Sequence, residues 1–197
     1  RNKLAANLSI LRRRSPAPLI GGIPDKQRHQ LLARVLADDG IIPGTKLAAA
    51  LVLLYGIRPH RIARITLDQV DTVDGLARIR LGAEHLYLPT ELGIVAEAVI
   101  AARTARRLLH DVSENEWLFP GSRPGWPLAN TTLARRLARI GVQATPARRG
   151  ALTSLAASLH PVVLADLTGI HIRTAITWRD AVAASRSRYV AERSRDT

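Results

Sequence analysis

The run Leu47-Ala-Ala-Ala-Leu-Val-Leu-Leu-Tyr55 carries no charge. A helix built from it is apolar on every side and has to be buried. The rest of the chain must therefore fold around it. Gly56 follows at once, the residue type best suited to end a helix in the left-handed conformation. Ile57-Arg58-Pro59 comes next. Proline suits the first turn of a short second helix, so Arg58 stands in the turn between a buried helix and its successor.

The flanking segments supply what could cover such a helix. Asp25 is a candidate N-cap for a helix through Leu36, with Leu31, Leu32, Val35 and Leu36 on one face. Thr45 is read as the cap of the buried helix. Ile65–Val70, Leu76–Leu81 and Leu86–Leu88 read as three short strands, with Asp74-Gly75 as the first turn. A helix from Glu91 to Leu109 follows, capped by Thr90, and then an apolar loop, Trp117-Leu-Phe-Pro-Gly121. Asn130 is read as the cap of a helix to Ile140. The last third reads as helices alone: Pro146–Leu159, Pro161–Leu167 and Ile172–Ala184, with a tail to about Arg193. Helices, a small antiparallel sheet and more helices make an α+β, mostly helical domain. Residues 1–24, punctuated by Ser15-Pro-Ala-Pro18 and Gly21-Gly-Ile-Pro24, read as a basic arm or linker. Residues 25–197 read as one domain. The start at Arg1 and the lack of methionine are what a piece of a longer protein would show.

Charge narrows the partner. The formal net charge is +13, and arginine supplies all but three of the basic residues. Residues 1–20 hold five basic groups, among them Arg12, Arg13 and Arg14, and no acid. Residues 21–130 are near balance, with 13 basic and 12 acidic, whereas residues 131–197 hold 11 basic and four acidic. Two basic ends around a neutral middle suit a polyanion, and arginine grips phosphate through a planar fork. The helix over Asn130–Ile140, with Arg135, Arg136 and Arg139, could track a nucleic-acid backbone. Cysteine is absent, so disulfides and thiolate metal sites are excluded. There is no P-loop, no G-x-G-x-x-G and no His-Glu-x-x-His, and no metal or cofactor is expected. With no 18-residue apolar run and no signal-peptide pattern, a soluble, cytoplasmic protein without membrane contact is the default.

Gly56-Ile57-Arg58 at the end of a buried helix resembles the first arginine motif of the tyrosine recombinase/integrase family. Three further segments resemble the family in order and spacing. Trp117-Leu-Phe-Pro-Gly121 with Pro127-Leu-Ala-Asn130 is similar to the family's approach to its next helix. Thr145-Pro-Ala-Arg-Arg-Gly-Ala-Leu-Thr-Ser-Leu-Ala156 is similar to the second-arginine box. Leu164-Ala-Asp-Leu-Thr-Gly-Ile-His-Ile-Arg-Thr-Ala175 is similar to the segment preceding the nucleophile. The resemblance covers roughly residues 25–190. It implies a recombinase-like catalytic domain acting on double-stranded DNA. In the family a tyrosine attacks a phosphodiester, and two arginines with two His or Trp residues stabilise the anionic transition state.

The resemblance implies that Arg58 and Arg148 grip phosphate, with Arg149 the alternative to Arg148. DNA contacts are expected from Arg12, Arg13, Arg14, Arg58, Arg61, Arg135, Arg136, Arg139, Arg148 and Arg149. His60 and Arg61 fill the place where the family often has an acidic residue. The hairpin Gly82-Ala83-Glu84-His85 lacks the family's lysine. Gly169-Ile170-His171 displaces the expected histidine by one residue, leaving His171 as the candidate. The nucleophile position falls on Trp178, whose indole has no attacking oxygen. Tyr189, 11 residues on, is the only credible substitute. The expected catalytic set is thus Arg58, Arg148, His171 and Tyr189.

Three functions compete. The first is a degenerate recombinase domain that binds DNA with impaired or no strand cleavage. The second is an active recombinase using Tyr189. The third is a protein-interaction domain on the same fold, joining copies into a homo-oligomer through the Trp117-Leu-Phe loop and the C-terminal segment.

Overall fold

A computed structural model describes residues 21–73, 76–110 and 117–193. Helix α2 (Pro43–Tyr55) is the axis of the molecule, and Leu47 to Leu53 are without exception buried. Around it pack α1 (Asp25–Ala37), α4 (Thr90–His110), α5 (Asn130–Arg139) and α6 (Ala144–Ser158). Their inward residues form the larger core. A second core gathers Leu152 and Ala156 of α6 with residues of α7 (Pro161–Thr168) and α8 (Ile172–Arg193), including Trp178. The α+β architecture expected from the sequence is the one observed.

Several boundaries move for identifiable reasons. Helix α2 starts two residues before Thr45 because Pro43 takes the first position, and Thr45 is buried in the first turn rather than capping it. Asp25 likewise lies inside α1, with Pro24 at the N-cap. Asn130 lies inside α5, with Ala129 at its N-cap. Gly56 ends α2 as expected, with φ at 64°.

The first strand starts later than expected. Leu67–Gln69 forms a 3-10 turn, because the Gln69 side chain accepts from the Thr66 backbone N–H (3.0 Å) and closes a capping box. Such local side-chain bonds compete with strand pairing. Ile65 pairs with the loop instead, its carbonyl accepting from Leu118 N–H at 2.8 Å. The sheet is β1 (Val70–Val73), β2 (Leu76–Arg80) and β3 (His85–Tyr87), all antiparallel in chain order. Register pairs Val70 with Ile79 and Ile79 with Leu86, which puts these three apolar residues on the buried face.

Helix α8 continues unbroken through the tail to Arg193. In the Trp117-Leu-Phe loop, Leu118 and Phe119 are buried in the core and Trp117 is half-buried. No helix among the described residues is long and apolar enough to cross a membrane.

A buried cation ties the helices together. Arg28, 2% exposed, donates to Leu53 O, to Asp25 Oδ1 and to Ser154 Oγ (2.9 Å). Leu53 O is among the last four carbonyls of α2, which have no acceptor role inside the helix. One guanidinium thereby joins α1, α2 and α6.

Candidate functional site

Arg58 stands at the N-cap of the short helix α3 (Pro59–Ile62), two residues after the left-handed Gly56. Its side chain is exposed. Arg148 is the fifth residue of α6, because that helix begins at Ala144 rather than Pro146. It is therefore in the second turn and not among the free N–H groups of the helix start. The two guanidinium groups still converge. Both line a cleft of about 220 Å³ whose other walls are Gly56, His60, Arg61 and the segment Thr168–His171. Both also line a second cavity on the far side of Arg58, walled by Asn130 and Thr131 of α5, by Arg149 and by Trp178.

The electrostatics are one-sided. Burial, and then the charge of Arg58, bring the Arg148 guanidinium down to about 10, so it remains cationic at neutral pH. Its Nε is buried without a hydrogen-bond partner. A cation in this condition favours an incoming anion, since each buried donor left unpaired costs free energy. His60 is pushed down by burial and then by Arg58, Arg64, Arg61 and Arg148. It is neutral at pH 7. The cleft is smaller than pockets that enclose drug-sized ligands, and its lining joins three arginines to apolar groups such as Ile57 and Ile170, with no acidic residue. That suits a phosphate-sized anion. Among the described residues no group of three His, Asp or Glu side chains could hold a metal.

Arg61 departs from expectation. Its guanidinium donates to Thr168 O (2.8 Å), Gly169 O (2.5 Å) and Leu81 O (2.8 Å). Both terminal nitrogens are thereby engaged inside the protein, while Arg61 also lines the cleft. Burial and Arg58 lower its pKa, yet the three carbonyls hold it in place. It clasps the C-terminus of α7 to the β2–β3 hairpin. The hairpin has no room to retreat: a Cβ on Gly82 would lie 1.8 Å from Asp166 O.

His171 lies on the cleft wall and caps α8, its Nδ1 accepting from Arg173 N–H at 3.1 Å. Only Nε2 is left to face an anion. His85 sits half-buried on β3, at the hairpin and not among the cleft-lining residues.

Trp178 is 2% exposed and packs in the second core, with part of its side chain on the cavity wall beside Arg58 and Arg148. No phenol among the described side chains lines either cavity. Tyr55 is half-buried at the end of α2, and Tyr87 is exposed on β3. Tyr189 belongs to α8, but its side chain lies outside the described residues. On a helix rising 1.5 Å per residue, its backbone is about 16 Å beyond Trp178 along the axis.

Of the remaining basic residues, Arg149 lines the second cavity. Arg135, Arg136 and Arg139 are exposed on α5. Arg12, Arg13 and Arg14 lie outside the described residues. The sequence did not signal His60 as a cleft residue or Arg61 as a clasp. The first follows from His60 sharing the cleft with Thr168–His171, the second from a meeting of three segments distant along the chain.

No family model and no curated protein sequence matches the chain. Its structure is nonetheless similar to solved recombinases. XerA recombinase superposes with a TM-score of 0.57 at 16% identity, over 86% of this chain and 66% of that one. XerH site-specific recombinase, bound to a palindromic difH substrate in a post-cleavage complex, gives 0.62 at 13% identity, over 88% and 53%. The Tn1549 transposon integrase, in complex with transposon right-end DNA, gives 0.56 at 16% identity, over 94% and 70%. The chain spans about half to two thirds of the length of the first two. The fold is that of tyrosine-recombinase catalytic domains.

Proposed function

We propose that this domain binds duplex DNA in the manner of a tyrosine recombinase, holding a backbone phosphate between Arg58 and Arg148, and is impaired in strand cleavage. One observation carries the reading: Arg58, Arg148 and Trp178 line one cavity. The cations that hold phosphate are present there, and the side chain beside them has no oxygen with which to attack it. His171, with Nε2 free, and Arg149 add donors at the rim. Arg135, Arg136 and Arg139 on α5 extend the cationic surface beyond the cleft. The XerH and Tn1549 structures that share the fold are complexes with DNA, which supports the choice of partner.

The straight course of α8 supports impairment. Tyr189 cannot take the place of Trp178 while that helix stays intact, because its backbone is about 16 Å further along. Binding is tested by gel retardation of duplex DNA at low salt, where a shifted band is expected and its absence refutes the reading. Impairment is tested with nicked suicide substrates across a pool of duplex sequences. No covalent protein–DNA species is expected. A species that survives denaturation and is lost in Tyr189→Phe would establish an active enzyme instead. Assembly through the C-terminal segment is tested by light scattering with and without residues 185–197.

A further inference from the structure

The segment from Pro120 to Pro127 is a miniature hairpin. Pro120 and Pro127 pair, Gly121 N–H donates to Trp126 O (2.9 Å), and Leu128 N–H donates to Phe119 O (2.8 Å). Its tip is Arg123-Pro124-Gly125-Trp126, closed by Trp126 N–H to Arg123 O at 3.2 Å. Proline second and glycine third, the latter with φ at 75°, is the pattern of a type II turn. Trp117 Nε1–H anchors the tip by donating to Gly125 O at 3.0 Å.

The turn brings its first and last side chains together. The Arg123 guanidinium lies over the Trp126 ring, 5.1 Å from its centroid. Trp126 is nonetheless 57% exposed, whereas Trp178 is 2% exposed. The indole is therefore open to a ligand that can stack on it. Trp126 and Arg123 form one side of a groove of about 480 Å³, and Thr132 and Arg136 of α5 form the other. The groove is lined by two arginines and no acidic residue.

Helix α5 connects this groove to the cleft. Thr131 lines the cavity beside Arg58 and Arg148, and Thr132, the next residue, lines the groove. Residues four apart share a helix face. Thr131, Arg135 and Arg139 therefore run as one row, and Thr132 and Arg136 as the row beside it. A strand leaving the cleft along these rows would pass the tryptophan.

We infer that the Arg123–Trp126 groove receives an unpaired nucleotide of a DNA strand whose duplex part lies on the arginine cleft. This rests on the DNA-binding reading above. The groove volume falls within the range of single-ligand pockets. A base inside a duplex has both faces covered, whereas an unpaired base offers one to the indole. Arg123 and Arg136 supply the counter-charge for its phosphates, and stacking on an aromatic shelf tolerates any base.

The test compares three fluorescent probes by anisotropy: a blunt duplex, the same duplex with a five-thymidine single-stranded tail, and pentathymidylate alone. The intact chain is expected to bind the tailed duplex roughly tenfold tighter than the blunt one. Trp126→Ala should abolish that gain and leave blunt-duplex affinity within about twofold, since its ring is not in the cleft. Trp126→Phe should retain most of the gain. Equal affinity for blunt and tailed duplex, or a gain that survives Trp126→Ala, overturns the inference. If neither duplex binds, the DNA-binding reading fails, and pentathymidylate still decides for the groove. Trp126-dependent binding of that probe supports it, and no such binding overturns it. Circular dichroism melting confirms that each variant is folded.

Discussion

At the scale of single residues, the cleft is a problem of unbalanced charge. Arg58, Arg148 and His60 face a common space without a carboxylate among its lining residues. His60 is held neutral because burial and four arginines disfavour its protonated form. An entering phosphate offsets those arginines and raises the histidine's pKa again. DNA binding should then take up a proton, so affinity should rise as pH falls from 7.5 to 5.5 at constant ionic strength. His60→Gln should flatten that rise. A pH profile unchanged by the substitution would separate His60 from the bound anion. Stability moves the other way. His60 has a folded pKa below its unfolded one, so the unfolded chain binds more protons below about pH 6.5. Acidification through that window lowers the stability of the free protein. Arg58 was legible as a site residue because a helix-ending glycine fixes where the next side chain emerges. His60 was not, since only the fold reveals that it shares a wall with Thr168–His171.

At the scale of elements, the decisive contact is the clasp made by Arg61. Three carbonyls from α7 and from the end of β2 converge on one guanidinium. Two of these, on Thr168 and Gly169, belong to a helix end that cannot satisfy itself. Arg61→Ala should cost about 2–3 kcal/mol by leaving them unpaired, a fall of about 5–10 °C in melting temperature for a domain of this size. An arginine that only touched DNA would change stability by about 0.5 kcal/mol or less. Calorimetric scanning of the free protein separates the two, and an unshifted melting temperature would contradict the clasp. Gly82→Ala should be at least as damaging, because its methyl group would overlap the Asp166 carbonyl. Helix existence was legible throughout, from apolar spacing and from Pro and Gly punctuation. The ends were less so. Pro43 and Pro24 displaced the side chains read as caps, and Gln69 drew the start of β1 into a 3-10 turn. These are contests between local bonds of similar strength, which spacing alone cannot decide.

At the scale of the whole molecule, a helix with an uncharged run at the centre and arginines beyond its end describe one design. Helix α2 is buried, so the chain after Gly56 is fixed in space, and α6 packs against the same helix. Two arginines distant in sequence thereby share a wall. The order of motifs made the fold legible despite identities of 13–16% to the solved recombinases. Identity of side chains fades faster than the burial pattern that fixes a fold. Trp178, read from the sequence as standing at the nucleophile position, is buried in the second core.

The central claim is that Arg58 and Arg148 together hold DNA phosphate. It is tested most directly by the salt dependence of duplex binding, measured by anisotropy for the parent chain and for the Arg58→Ala, Arg148→Ala double variant. Each lost phosphate contact removes about 0.9 from the slope of log affinity on log salt concentration. Weaker binding and a slope shallower by about 0.9 are expected in the double variant, which loses its grip on the one phosphate the two arginines share. Equal slopes with equal affinities would place the DNA elsewhere on the molecule.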